Sequence, residues 1–564
     1  MAKVKVKKSV AVARRKKGRA ETGAAATVTS APPPAFSASS SPNADLARSL
    51  IPYEKPRDLQ VEALAKVITA HKAGARYVVL EAPTGTGKSG LAVGLARYFE
   101  RSFIGTLTAQ LQEQYDGLFH EHGVEKLLGA GKFSCRKMPG ASCATGRKEY
   151  TGKSACQAVA PGCPYAIQKA KALAAPICVG NFHSLLYNVA FAQGPDDAED
   201  EGTANDPRIR PLMVVDEVHG LESMLLDHTG ITLRLNQFSF QTEELPKKDE
   251  GVEAYWKWIE KFVVQLKLEM SERMPDPKAK EKAGEILGKL VFALSSREEE
   301  TWIPERGERQ DGTLDDTWLA MKPLTVKRWG HWLWGRGNFS LLMTATVINP
   351  GVLATSLGLN LSDGDYFEMP CPFPPENRPI YAANLDMSMK ARDESWPLMV
   401  EAIQKLLAHH ATEKGLILTP SNKMMEYIMK GISDRTMRAR LIPASGEDRE
   451  ARYNEHMNRK DPTVLLASGY WEGADLKDDS SRFQIIPQLP RPFWAGQVKA
   501  RASIDPGWYD FKTWQKMIQG LGRSVRSESD SAVSYVLDGA FMREMEKTKS
   551  LIPTWMRSAV KELT

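Results

Sequence analysis

A β-rich run, Tyr77-Val78-Val79-Leu80-Glu81, leads directly into Ala82-Pro83-Thr84-Gly85-Thr86-Gly87-Lys88-Ser89, after which apolar residues resume at helical spacing (Leu91, Val93, Leu95, Ala96). Strand, glycine loop and helix in that order form a cradle in which backbone N–H groups and a helix N-terminus converge on a phosphate. Gly85, Thr86 and Gly87 shape the loop, Lys88 reaches the β- and γ-phosphates, and the Ser89 hydroxyl is placed to ligate Mg²⁺. The first position of the usual G-x-x-x-x-G-K-[ST] pattern is Ala82. Such a unit needs a parallel sheet around it. Short apolar runs at 103–107, 177–180, 212–215, 341–343, 416–419, 464–467, 483–486 and 534–537 alternate with longer helical patterns. That rhythm predicts α/β architecture, and two sheets suit 564 residues.

A phosphate loop requires an acidic partner. Leu212-Met213-Val214-Val215 ends in Asp216-Glu217-Val218-His219, which puts two acids at the C-terminal mouth of a buried strand, beside the loop. Asp216 would hold Mg²⁺, Glu217 would orient or deprotonate the attacking water, and His219 would couple the nucleotide to the second half. Near the C-terminus, Gln519-Gly520-Leu521-Gly522-Arg523-Ser524-Val525-Arg526 presents two arginines three apart. On one helix they point the same way and can neutralise charge developing on a γ-phosphate.

Composition narrows the classes. No run of eighteen apolar residues marks a membrane span, and the basic N-terminus lacks the apolar segment of a secretory leader. Six cysteines do not make a disulfide scaffold. The net charge of +6 belongs to the tail: residues 1–20 hold nine Lys or Arg and no acid, so the rest of the chain carries −3. Any nucleic-acid surface on the folded body is therefore a local patch. The expected location is the cytoplasm of a prokaryotic or virus-infected cell.

In order along the chain, Arg57-x-x-Gln60, the 82–89 loop, Gly105 to Thr108 with Gln110 to Gln114, Gly180 to His183, the Asp216 box, Thr344-Ala345-Thr346, Leu418 to Ser421, Trp471 to Asp475 and Gln519 to Arg526 resemble superfamily 2 helicases, and within them the DinG/XPD-like iron–sulfur DNA helicases. The resemblance implies two RecA-like P-loop motor domains, the first carrying an iron–sulfur cluster insertion and a mostly helical arch-like insertion. The expected division is a disordered basic tail (1–44), a first motor domain (45–390) interrupted by the cluster insertion (128–170) and the arch (222–335), and a second motor domain (391–564). Carried onto matching positions, Gln60 is the adenine-side glutamine with Arg57 nearby, and Thr108 contacts single-stranded nucleic acid. Thr344 and Thr346 link hydrolysis to movement, and Glu472, Gly473 and Asp475 touch nucleic acid and nucleotide from the second domain. Gln519 senses the γ-phosphate, and Arg523 and Arg526 are arginine fingers. Val218 in place of the usual alanine is a packing change.

Cys135, Cys143, Cys156 and Cys163 lie at spacings of 8, 13 and 7. Spacing alone leaves zinc, an iron–sulfur cluster and unliganded thiols all open. Their position between the Thr108 and Asn181 motifs, and the Cys163-Pro164-Tyr165 sequence, resemble the family's cluster domain and favour [4Fe–4S] over zinc. Cys178 reads as a buried strand thiol. Tryptophans near Lys257, Lys261 and Lys327 could stack on bases, although core packing explains most of them.

The expected activity is an ATP- and Mg²⁺-dependent DNA helicase. By resemblance it moves 5′ to 3′ on single-stranded DNA, acts on tailed or forked duplexes, and has a site complete within one chain. An RNA or RNA–DNA hybrid helicase, and an ATP-gated remodelling protein that does not unwind, are the alternatives.

Overall fold

Alternate residues of the first strand divide between two cores. Val78 and Leu80 pack with one apolar cluster, Tyr77 and Val79 with another. This is the two-sided burial of a parallel sheet covered by helices on both faces. The protein is described by a computed structural model. It covers residues 43–562 except 139, 150–161, 191–207, 239, 241, 273, 275, 309–313, 348, 470–475, 477, 526 and 528. The basic tail lies outside it, as do Cys156, Glu472, Gly473, Asp475 and Arg526.

Strands β1 (Tyr77–Glu81), β2 (Ser102–Thr106), β3 (Val124–Leu127), β4 (Ile177–Asn181) and β5 (Arg210–Asp216) come first, then β6 (Ile231–Arg234), β7 (Trp302–Glu308) and β8 (Leu314–Pro323). After β9 (Gly337–Thr344) and β10 (Gly364–Glu368) come β11 (Ile380–Leu385), β12 (Gly415–Thr419), β13 (Leu441–Ala444) and β14 (Val464–Ser468). The last three are β15 (Phe483–Ile486), β16 (Val533–Asp538) and β17 (Val560–Glu562). They build two seven-stranded parallel sheets, ordered β10-β1-β9-β5-β2-β4-β3 and β13-β14-β12-β15-β16-β11-β17. In the second sheet, too, successive residues split between faces: Leu416 and Leu418 join one cluster, Ile417 the other.

Between β5 and β9 the chain forms two long helices, Val252–Glu272 and Pro277–Ser296, with an antiparallel sheet ordered β6-β8-β7. The first helix buries Tyr255, Trp258, Ile259, Phe262, Val263 and Leu266, the i, i+3, i+4, i+7 stripe of an amphipathic helix. Trp256, Trp258 and Trp329 are buried in the apolar core of this region, so the expected helices are accompanied by a sheet and these tryptophans serve as core. No helix among the described residues is long and apolar enough to cross a membrane.

Candidate active site

The sheet order places β1, β9, β5 and β2 side by side, with Glu81 opposite Thr344 and Asp216 opposite Met343. The loops leaving their C-terminal ends therefore meet at one edge, where open α/β sheets bind ligands. A cleft of about 650 Å³ opens there. Gly85, Gly87, Lys88, Ser89, Thr108, Asp216, Glu217, His219 and Thr346 line it from the first half, Gln519 and Arg523 from the second.

Gly85 and Gly87 have φ of 78° and 82°, the left-handed region that glycine occupies without a Cβ penalty. Ala82 lacks that need: its N–H donates to the Thr344 carbonyl at 2.9 Å, so it is still ladder backbone. The loop is braced by its carbonyls. Lys88 Nζ donates to Ala82 O (3.1 Å), an Arg57 guanidinium N–H to Gly85 O (2.9 Å) and Gln60 Nε2 to Thr86 O (2.9 Å). Gln60 Oε1 also accepts from the Arg57 N–H. Arg57 and Gln60 thus grip the loop's backbone, while Lys88, 3.7 Å from Glu217, faces the acids.

Asp216 is buried. Tyr115 donates its hydroxyl proton to Asp216 Oδ2 at 2.9 Å, and Oδ1 accepts from the Glu217 N–H. Burial, and then the Glu217 charge, push the Asp216 carboxyl up to about 6. Burial acts in the same direction on Glu217, but Lys88, His219 and Arg523 outweigh it and hold that carboxyl below its ordinary value. The two neighbouring carboxyls are thus pushed in opposite directions, Asp216 by burial and Glu217 by the cations around it. Glu217 also sits at φ 60°, ψ 48°, a left-handed backbone that costs a non-glycine residue about 1–2 kcal/mol.

His219 Nδ1 lies 2.8 Å from Thr344 Oγ1 and 3.2 Å from Glu217 Oε2. Thr344 Oγ1 accepts from the Thr346 N–H, and the Thr346 carbonyl accepts from Gln515 Nε2 at 3.5 Å. A chain of contacts therefore runs from the acid to the second half. Thr108 caps the Ala109–Phe119 helix through the Leu111 N–H.

The second half meets the cleft through the Pro506–Leu521 helix. Gln519 is buried at its end, and neither amide atom finds a partner among the described residues. Arg523 is 9% exposed, and its Nε donates to Gln519 O. A buried unpaired amide facing a polar cleft is a group prepared for a ligand. Ser89 and Asp216 supply the hard oxygen donors that Mg²⁺ takes.

Cys135, Cys143 and Cys163 lie away from the cleft. Ser134 and Ser142 form an isolated bridge that draws the flanking Cys135 and Cys143 segments together, and the Cys143–Glu149 helix starts there. A Cβ on Gly146 would collide with the Cys135 sulfur, so the glycine leaves that thiol its place beside the helix. Cys163 precedes the Pro164–Ala174 helix. Among the described residues no three metal-ligating side chains converge. Cys178 is buried on β4, and burial pushes its thiol up to about 12.

Sequence reasoning missed Tyr115, and it missed Glu222, which accepts from Trp508 Nε1 at 3.0 Å and pairs with Lys512 at 2.7 Å. It also missed Cys371, Phe373, Arg378 and Trp555, which line the cleft.

A family model for a helicase C-terminal domain matches residues 403–559, and one for the type III restriction enzyme res subunit matches residues 53–241. No curated protein matches. Among solved structures, the chain is similar to an XPD helicase at 14% identity and TM-score 0.60, over 91% of this chain and 100% of that one. It is likewise similar to S. tokodaii Xpd4 at 14% identity and TM-score 0.55, over 90% and 100%.

Proposed function

We propose that this chain, matched by family models for a helicase C-terminal domain and a type III restriction enzyme res subunit and sharing the fold of an XPD helicase, is an ATP-dependent superfamily 2 helicase of the XPD/DinG-like group, a motor that moves 5′ to 3′ along single-stranded DNA and separates tailed or forked duplexes. The observation that carries the reading is the single cleft lined by the phosphate loop, the Asp216–Glu217 pair and the Gln519–Arg523 end of a second-half helix. A nucleotide there touches both halves, so hydrolysis changes what holds them together.

The roles follow from the contacts. Lys88 exchanges the Ala82 carbonyl for the β- and γ-phosphate oxygens. Ser89 and Asp216 would hold Mg²⁺, which when bound neutralises charge on the phosphates. Glu217, charged at neutral pH, orients a water in line with the γ-phosphorus and takes its proton as the P–O bond to ADP breaks. Arg523 and Gln519 stabilise the charge on the departing phosphoryl group, with Arg526 as a second finger. His219 and Thr344 pass the change at Glu217 to Thr346 and the second half. Thr108, Glu472 and Gly473 grip the strand, and Asp475 contacts the nucleotide. Residues 45–390 and 391–564 form the two motor domains.

Cys135, Cys143, Cys156 and Cys163 are assigned to a [4Fe–4S] cluster in the 128–170 insertion, with 222–335 as the arch. Supporting this are the space left by Gly146 for the Cys135 sulfur and the soft thiolate donors.

The test is strand displacement on 5′-tailed and 3′-tailed DNA duplexes and an RNA counterpart, using anaerobically purified protein with Lys88→Ala as control. Unwinding of only the 5′-tailed DNA, lost in the control, is expected. Unwinding of the RNA alone would overturn the DNA assignment, and ATP hydrolysis with no displacement would leave a remodelling protein.

A further inference from the structure

One face of the Pro506–Leu521 helix carries contacts of three kinds to the first half. Trp508 donates its indole N–H to Glu222 Oε1 at 3.0 Å and Oε2 at 3.2 Å, and Lys512 Nζ lies 2.7 Å from Oε2. Phe511 is buried in the apolar cluster of the first sheet. Gln515 reaches the Thr346 carbonyl, and Gln519 ends in the cleft. Positions 508, 511, 512, 515 and 519 form one stripe of an α-helix.

Glu222 and Trp508 are 4% and 3% exposed. A carboxylate so buried gains no more for stability than a well-packed apolar pair would. Its distinguishing property is direction. The contacts of Phe511 tolerate sliding, whereas a carboxylate bridged by an indole N–H and an ammonium fits at one axial position. A slip of one turn moves the helix end by about 5.4 Å, enough to take Arg523 away from the phosphate loop. Glu222 also lies three residues after His219, at the start of the Leu221–Thr229 helix.

We propose that Glu222 is a positioning residue for hydrolysis: through Trp508 and Lys512 it sets the register of the Pro506–Leu521 helix, and so holds Gln519 and Arg523 over the phosphate loop. This rests on the reading that those two residues act on the γ-phosphate. The latch works in the transition state, where the arginine is needed, and therefore affects kcat more than the KM for ATP.

The experiment compares single-strand-stimulated ATP hydrolysis by full-length Trp508→Phe, Glu222→Gln and Glu222→Gln/Lys512→Met, with Arg523→Ala as reference and circular dichroism melting as the check on folding. Trp508→Phe removes the donor along with part of the ring, so its kcat is read beside its melting. The double variant removes the lysine charge that Glu222→Gln alone would strand. Trp508→Phe and the double variant are expected to lose about tenfold in kcat with KM near wild type, while circular dichroism shows both fully folded at the assay temperature. A wild-type kcat in Trp508→Phe beside an inactive Arg523→Ala overturns the latch. So does a double variant that regains kcat together with melting, since a purely structural pair predicts that. An Arg523→Ala that hydrolyses normally instead overturns the γ-phosphate reading beneath the proposal. Trp508→Phe decides the matter if the double variant does not fold.

Discussion

Gly87→Ala tests how the phosphate loop is held. At φ 82° an added Cβ places the residue in the left-handed region, at about 1–2 kcal/mol. The same Cβ would overlap Gln60 Nε2, which must swing away and release the Thr86 carbonyl. That hydrogen bond is worth roughly 0.5–1.5 kcal/mol. Together the two effects come to about 2.5 kcal/mol, or roughly 60-fold in nucleotide affinity. In a Gln60→Ala background the space is already open, so Gly87→Ala should cost only the backbone share, about tenfold. The assay is titration of the four proteins with a fluorescent ATP analogue. An equal loss in both backgrounds would show that Gln60 does not brace the loop and would refute the reasoning.

Lys88→Ala and Arg523→Ala should each lower kcat at least about a hundredfold, measured by phosphate release, while Lys88→Ala also weakens nucleotide binding. Thr344→Val removes the hydroxyl beside His219 and Glu217. It should reduce base pairs unwound per ATP more than ATPase itself, read by paired displacement and hydrolysis assays. Cys135→Ser and Cys143→Ser should strip iron and visible absorbance from anaerobically purified protein, whereas Cys178→Ser leaves both intact. His456 is buried between Thr463 and the Ser480 carbonyl, and burial brings its imidazole down to about 4. The folded state therefore binds fewer protons than the unfolded chain. The stability this gives is present above pH 6.5 and lost as pH falls towards 4, by up to about 3 kcal/mol. Denaturant midpoints at pH 7 and pH 5 check this, with His456→Gln flattening the difference.

The strands that carry the nucleotide site were legible because each is apolar on both faces. The four edge strands were not. β3 and β10 close the first sheet, β13 and β17 the second, and each pairs on one side only. Val124-Glu125-Lys126-Leu127 and Gly364-Asp365-Tyr366-Phe367-Glu368 therefore keep polar residues that hide a strand signal. β6 escaped for a related reason, burying Ile231 and Leu233 while exposing Thr232 and Arg234. At the site, chemistry that requires neighbouring residues could be read directly: the loop, the paired acids, the glutamine and arginine near the C-terminus. Contacts between distant segments could not. Glu222 and Trp508 are 286 residues apart, and neither stands in a pattern that announces the other. Tyr115 is one ring among many until the fold brings its hydroxyl to Asp216. The left-handed backbone of Glu217 has no signature in residue type, since glutamate is not a residue that favours it.

The carbonyls of Ala82, Gly85 and Thr86 are each engaged by a side chain, so the loop's shape does not depend on a guest. A loop shaped in advance leaves only the Lys88 side chain to change partners when nucleotide enters. Nucleotide should arrive at a rate set by diffusion and charge, and substitutions at Arg57 or Gln60 should slow that arrival. Changes at Arg523, which meets the phosphates from the other wall, should leave that arrival unchanged and slow turnover instead. Entry and turnover are then governed by separate halves of the molecule.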